Sequence, residues 1–323
     1  MIVVPAGLDG QRIDRVVSFV TGRPRADAAA MVDDSRVRVD GAIVTSRSRK
    51  VRTGAVVEVD LPPEPEGPQR DVGVDLVVVH ADEHVIVVDK PAGLVVHPGA
   101  GNAAGTLVNG LLGRFPDMAA RTWLDAGRPG IVHRLDKGTS GLLMVARTPA
   151  ALGDLSAQLQ ARTVERRYLA LVWGSVEAAD GVVDAPIGRS VSDPTRMTVR
   201  ADGRRAVTRY EVVTRWATPQ PTTLVRCALE TGRTHQIRVH LAAIGHPVVG
   251  DARYRAGGRG GAGRRGAAGG RGETNVAVAP GMGPGRPFLH AAVLGFDHPA
   301  SGERLRFESE LPEDLEVVRR TLA

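Results

Sequence analysis

The sequence predicts an α+β protein in two units, on three observations. Apolar residues recur at helical spacing in some segments and at strand spacing in others, and the two kinds are interspersed along the chain. A proline-rich stretch near residue 62 interrupts both patterns. The chain has 323 residues, which at roughly 100–200 residues per domain suggests two domains.

The first unit is expected over 1–61. Ile13, Val16, Val17 and Val20 fall at i, i+3, i+4 and i+7, one face of a helix. Ala-rich Ala26–Asp33 predicts a second. Val37–Val39 and Ala42–Val44 flank Asp40-Gly41, a tight-hairpin signal, and Val56, Val57 and Val59 close the unit as a strand. Residues 62–74 hold four prolines and read as a semi-rigid linker.

The second unit is expected over 75–323. Strand-like runs lie at Leu76–Val79, Val85–Val88, Leu94–Val96, Ile131–Val132 and Leu142–Ala146. Leu107, Val108, Leu111 and Leu112 mark one helix, and Leu152, Leu155 and Leu159 another. Leu224–Glu230 alternates, which makes Cys227 a buried structural residue rather than a nucleophile. Ile237, Leu241 and Ile244 mark a helix that Gly245 can end, and a last helix opens at Pro312 with Leu315, Val318 and Leu322 inward. Residues 255–286 contain 12 glycines and six arginines without apolar periodicity, a composition of disorder.

Several classes are excluded. No apolar run approaches the roughly 18 residues of a membrane span. The first residues lack a basic and then apolar leader, so no secretory signal is expected. A single cysteine allows neither an intramolecular disulfide nor a cysteine zinc cluster, and together these point to the cytoplasm. The nine histidines show no acidic companion at a recognised ligand spacing, so no metal is expected. Phosphate-loop, dinucleotide, nucleophile-elbow and zincin motifs are absent. The net charge of +6 hints at a polyanionic partner, but residues 255–286 carry most of it.

Chemistry concentrates in four polar clusters. Gly130–Thr148 places His133, Arg134, Asp136, Lys137, Thr139 and Ser140 in a turn between apolar runs. A carboxylate among three potential cations favours its ionised form and suits a nucleophile or general base, and a structural salt bridge is the alternative. Glu230–His240 runs from a turn at Thr231-Gly232 into a helix. Arg238 sits in that helix's first turns, where the dipole offers a cation nothing. A partner carboxylate or phosphate explains it, as does simple exposure. Arg166-Arg167-Tyr168 opens an apolar strand with one of three tyrosines. Asp89–Gly99 is a strand end with Pro and Gly turns.

These four segments, in this order, resemble the RluA/RluD family of ribosomal RNA pseudouridine synthases over nearly all of Asp75–Leu315. DKPAG…VHPG, HRLD, the tyrosine that follows, ETGRTHQIRVH…GD, PFLHAAVLGF and LPEDL match the family's motifs in turn. Gln11–Leu61 is similar to the S4 RNA-binding module. Asp89 stands where the family has Asn, Gly138 where an acidic residue is common, and Ala-Arg-Tyr-Arg follows Asp251 in place of Pro-Val-Tyr-Gly.

The resemblance implies a small S4-like α/β domain followed by a catalytic domain on a mixed, mainly antiparallel sheet flanked by helices. It implies an isomerase that needs neither cofactor nor metal. Asp136 would be the essential carboxylate, whether it attacks C1′, attacks uracil C6 or takes a ribose proton. Arg238 would orient it, and Tyr168 would stack on the flipped uracil and serve in removal of the C5 proton. His133, Arg134, Lys137, Thr139, Arg233 and His235 would hold RNA at the site. Arg12, Arg15, Arg23, Arg25 and Lys50 would meet phosphates from the front module. The expected partner is large-subunit (23S) ribosomal RNA, modified in single-stranded or loop regions by a monomeric enzyme. A tRNA-modifying relative, a non-catalytic ribosome-assembly protein and a hydrolytic glycosidase are the alternatives. The glycosidase would want a second acid across the bond, which these motifs do not supply.

Overall fold

The computed structural model describes residues 1–61, 67–99, 101–254, 283 and 285–322. The chain divides into two compact units, Met1–Glu66 and Gly67–Ala323.

In the first unit, strands β1 (Ile2–Val3), β2 (Val37–Val39), β3 (Ala42–Ile43) and β4 (Val56–Val59) form an antiparallel sheet in the order β1-β4-β2-β3. Helices α1 (Ile13–Thr21) and α2 (Arg25–Asp33) pack on it. The stripe Ile13, Val16 and Val17 is buried against Ala28, Met31, Val37 and Val57. Asp40 and Gly41 both take positive φ, 52° and 76°, which the tight β2–β3 turn demands and which Asp and Gly tolerate.

In chain order the second unit contains β5 (Val77–Ala81), β6 (Val85–Lys90), α3 (Leu107–Arg114), α4 (Pro116–Ala119), β7 (Ser140–Ala146), α5 (Pro149–Ala161) and β8 (Glu165–Trp173). After these come β9 (Asp180–Asp184), β10 (Ile187–Arg189), β11 (Met197–Val199), β12 (Val207–Trp216) and β13 (Thr222–Leu229). It closes with α6 (Gln236–Ala243), β14 (Leu289–Asp297), β15 (Arg304–Glu308) and α7 (Glu313–Leu322). Among the described residues nine strands make one sheet, β5-β6-β7-β14-β8-β13-β12-β9, with β15 beside β14. Every pair is antiparallel except β7 with β14. Both faces of its centre are covered, so β6 reads as a continuous apolar run. Ile86 and Val88 join the core under α3, α6 and α7, while Val85 and Val87 join Leu155 of α5 on the other face. Cys227 is fully buried, and burial pushes its thiol up to about 12.

Three expectations need correction. Leu94–Val96 forms no strand, because the Val95 and Val96 carbonyls accept the N–H groups of Leu107 and Val108 at the start of α3. Ile131 makes only an isolated bridge to Val145, and His133 Nε2 takes the Met144 N–H that a continuing strand would have used. Of the stretch read as linker, 62–66 lie outside the described residues, but the remainder packs on α3. Asn109 Nδ2 donates to the Gln69 carbonyl at 2.7 Å and Asp71 N–H to the Asn109 carbonyl at 3.0 Å. Gly113 allows that approach, since a β-carbon there would stand 2.7 Å from the Asp71 carbonyl oxygen. Of the Gly/Arg segment, 255–282 and 284 lie outside the described residues. Its last arginine, Arg286, is buried.

Candidate active site

The HRLD turn enters β7 with its backbone held from several sides. Thr139 N–H donates to the Asp136 carbonyl at 3.0 Å, and Gly93 N–H to the Lys137 carbonyl at 2.7 Å. Lys90, 1% exposed at the end of β6, donates its ammonium to the Pro91 and Leu94 carbonyls and, at 3.5 Å, to that of Lys137. Burial, then the charge of Arg286, lowers the Lys90 ammonium to about 7. Arg286 donates to the Gly138 carbonyl, to Ser140 Oγ at 2.9 Å and to Asp314 of α7 at 2.9 Å. Ser140 Oγ continues to His290 Nδ1, whose other nitrogen meets the Ser309 carbonyl, and Ser309 Oγ donates to Asp89. Asp89 and Gly138, the two departures from the family pattern in this region, therefore both have structural places. A β-carbon on Gly138 would lie 2.7 Å from Pro287 Cδ.

This turn points the half-buried Asp136 carboxylate at α6. Arg238 Nη1 donates to Asp136 Oδ2 at 3.0 Å, and its Nε and Nη2 donate to Asp251 at 2.6 and 3.0 Å. The Asp251 side chain also accepts the N–H groups of Arg253 and Tyr254. Burial opposes charge on both partners. The paired hydrogen bonds outweigh it, holding Arg238 above and Asp251 below their ordinary values. The Arg238 guanidinium lies 5.0 Å over the Tyr254 ring, and the Tyr254 hydroxyl meets His235 Nδ1 at 2.7 Å. His235 is a non-glycine residue at φ 58° before α6, with Nε2 3.9 Å from Asp136. Buried Gln236 fixes this loop, its side-chain oxygen accepting from Thr231 Oγ1 and Arg233 N–H.

A cleft of about 590 Å³ opens over Asp136, lined also by His133, Arg134, Thr139, Arg166, Tyr168, Arg233, His235 and Arg238. Tyr168 sits mid-sheet in β8, opposite Cys227 of β13 and Ala291 of β14, and is 6% exposed. Burial raises its phenol above the ordinary value, so it stays protonated near neutrality.

Several residues named from sequence sit differently than expected. His133 is no cation, because burial followed by the charge of Arg166 lowers it to about 3 and its Nε2 accepts from Met144. Lys137 is exposed and does not line the cleft. The arginine paired with Asp136 is therefore Arg238, 102 residues away. Arg233 lines the cleft rim and donates to the Arg205 carbonyl. In the first unit Arg12 and Arg25 both pair with buried Asp14, Arg15 donates to Gln11, Lys50 bridges Arg12 through the backbone, and Arg23 follows Gly22 at the end of α1. Lys90, Asp251, Tyr254, Arg286 and Gln236 went unassigned in the sequence reading. The signal available for Lys90 was a lone lysine ending an apolar strand. Among the described residues no three His, Cys, Asp or Glu side chains converge as metal ligands, and no helix is long and apolar enough to cross a membrane.

A sheet of this order with a carboxylate turn facing a doubly anchored arginine defines a class. Residues 84–243 match the RNA pseudouridylate synthase family. The chain is 43% identical to the ribosomal large subunit pseudouridine synthase D of Pseudomonas aeruginosa, over 97% of this chain and 92% of that one. It is also 43% identical to an uncharacterized RNA pseudouridine synthase of Bacillus subtilis, over 94% and 92%. Among solved structures, human RNA pseudouridylate synthase domain containing 1 superposes with a TM-score of 0.56 at 27% identity, covering 76% of this chain and 88% of that one. The chain belongs to the RluA/RluD-type RNA pseudouridine synthases and is an isomerase.

Proposed function

We propose that this enzyme converts uridines of large-subunit (23S) ribosomal RNA to pseudouridine, with Asp136 as the essential carboxylate. The reaction breaks the C1′–N1 bond, turns the uracil and joins C1′ to C5, the proton lost from C5 being balanced by one gained at N1. The observation that carries the reading is the Asp136–Arg238–Asp251 chain on the floor of a cleft walled by Tyr168. A carboxylate fixed by one arginine, itself fixed by a second carboxylate, presents a defined oxygen to a flipped nucleotide without rearranging during reaction. Tyr168 offers a flat ring for the uracil at the cleft wall. Arg134, Thr139, Arg233 and His235 also line the cleft that would receive the nucleotide.

The names of the relatives support large-subunit ribosomal RNA as the substrate. The first unit, Met1–Glu66, acts as an S4-like RNA-binding module, with Arg12, Arg15, Arg23, Arg25 and Lys50 supplying phosphate contacts. Replacing Arg12 and Arg25 should weaken RNA binding across sequences and flatten its salt dependence, and an unchanged slope sinks that role. The enzyme works in the cytoplasm as a monomer, which light scattering tests.

The decisive experiment is tritium release from [5-³H]uridine-labelled 23S RNA. Wild type should release label and Asp136→Asn should not. Equal release from both refutes the assignment, and pseudouridine mapping of total RNA from a deletion strain identifies the site.

A further inference from the structure

Strand β8 presents two side chains to the cleft, Arg166 and Tyr168, two residues apart on one face. Arg166 is 8% exposed, yet no carboxylate lies within ion-pair distance of its side chain among the described residues. Its one hydrogen bond runs from Nη2 to the Leu229 carbonyl at 3.4 Å, and its Nε–H is buried with no partner. Neighbouring carboxylates are committed elsewhere. Asp136 accepts from Arg238, Glu230 pairs with Arg162 and Arg209, and Glu165 faces the other side of the strand with Arg167. Gly232 closes over the guanidinium, where a β-carbon would stand 3.0 Å from Nη1.

A buried cation without counter-charge is costly and persists where an anion arrives to meet it. The cleft repeats that incompleteness. Thr139 and His97 also line it and bury Oγ1 and Nδ1 without partners, so three of the four such atoms among the described residues belong to residues around one cavity. His97 is held below its ordinary value by burial and by Arg128 and Arg134, so it offers a neutral polar edge, not a charge. Resting on the RNA substrate proposed above, we infer that Arg166 is a phosphate-binding residue that receives a phosphodiester of the RNA strand next to the flipped uridine.

The test uses the full chain and three readouts. In the free protein, Arg166→Met should raise the melting temperature, because an unpaired buried cation is replaced by an apolar stem of similar length. Millimolar inorganic phosphate should raise the melting temperature of wild type and of Arg166→Lys but not of Arg166→Met. For binding to 23S RNA across a KCl series, Arg166→Met should lose affinity and shallow the log–log salt slope by about 0.7, the value for one phosphate on a single strand, with Arg166→Lys keeping the slope. A lowered melting temperature with phosphate protection intact, or an affinity loss with an unchanged slope, overturns the inference and makes Arg166 a structural or base-contacting residue. The melting readouts need no turnover. A wild type that fails to release tritium would therefore sink the proposed function while leaving the anion site standing or falling on its own data.

Discussion

Asp251→Asn tests whether the arginine behind Asp136 is held or merely present. In the native site Arg238 makes two short bonds to Asp251, at 2.6 and 3.0 Å, and one to Asp136 at 3.0 Å. An amide at 251 keeps one neutral acceptor and turns an NH2 group toward the guanidinium. Breaking a buried ion pair by removing one partner costs about 3–5 kcal/mol. One retained neutral hydrogen bond recovers about 1 kcal/mol. The variant should therefore lose about 2–4 kcal/mol of stability, read as a lower urea midpoint at unchanged slope. The catalytic effect follows from geometry. With its second anchor reduced to one neutral hydrogen bond, Arg238 is placed mainly by Asp136 and the Tyr254 ring, and the pair is free to drift. A displacement of about 1 Å costs on the order of 100-fold in turnover, or about 2.7 kcal/mol of barrier. Single-turnover tritium release under conditions where the variant remains folded measures this. Turnover within twofold of wild type in a folded Asp251→Asn protein would refute the reasoning, since Asp251 would then be dispensable for aligning the site.

Three further outcomes are expected. Tyr168→Phe should fold and bind RNA as wild type does, while turnover falls by about 100-fold or more if the hydroxyl serves proton removal; equal tritium release from both proteins would leave only stacking to the ring. His133 stays neutral in the fold down to about 3 but protonates near its ordinary 6.5 when unfolded. The unfolded state thus binds the extra proton between those values, so this contribution is full above about pH 6.5 and is lost as pH falls toward 3. His133→Gln, which keeps an acceptor for Met144, should be less destabilised than wild type between pH 7 and pH 4.5 in urea titrations, and an identical loss in both contradicts the assignment. Gly138→Ala should cost about 1–3 kcal/mol and slow turnover, because its new methyl meets Pro287 at 2.7 Å; a thermal melt indistinguishable from wild type would show that the turn can give way freely.

The centre of the site was legible because its residues fall in short dense runs. Asp136 among polar neighbours and Arg238 at the unfavourable end of a helix each break a local rule, and such breaks are visible in a string of letters. What holds them was not legible. Lys90 and Arg286 act by donating to main-chain carbonyls 47 and 148 residues away, and no spacing rule joins such positions. His133 is a potential cation by residue type alone, and burial decides that it stays neutral. The Arg166-Arg167 pair posed a question of direction only. Period-two alternation from Tyr168 points the first toward the cleft and the second away, as the burial pattern of β8 shows. Most elements emerged from periodicity. Leu94–Val96 reads as a strand and is none, because its carbonyls are committed to starting α3.

The one parallel pairing, β7 beside β14, has a consequence for how the enzyme comes to life during its own synthesis. His290 sits opposite Ser140, so the strand that braces the HRLD turn belongs to the last part of the chain, as do Arg286 and the Asp314 that fixes it. A nascent chain emerging from the ribosome would carry Asp136, Tyr168 and Arg238 before it carries β14, Arg286 and Asp314. Competence would await β14, which lies between β7 and β8, so partial translation products that lack it would be poor enzymes even with every reactive side chain present.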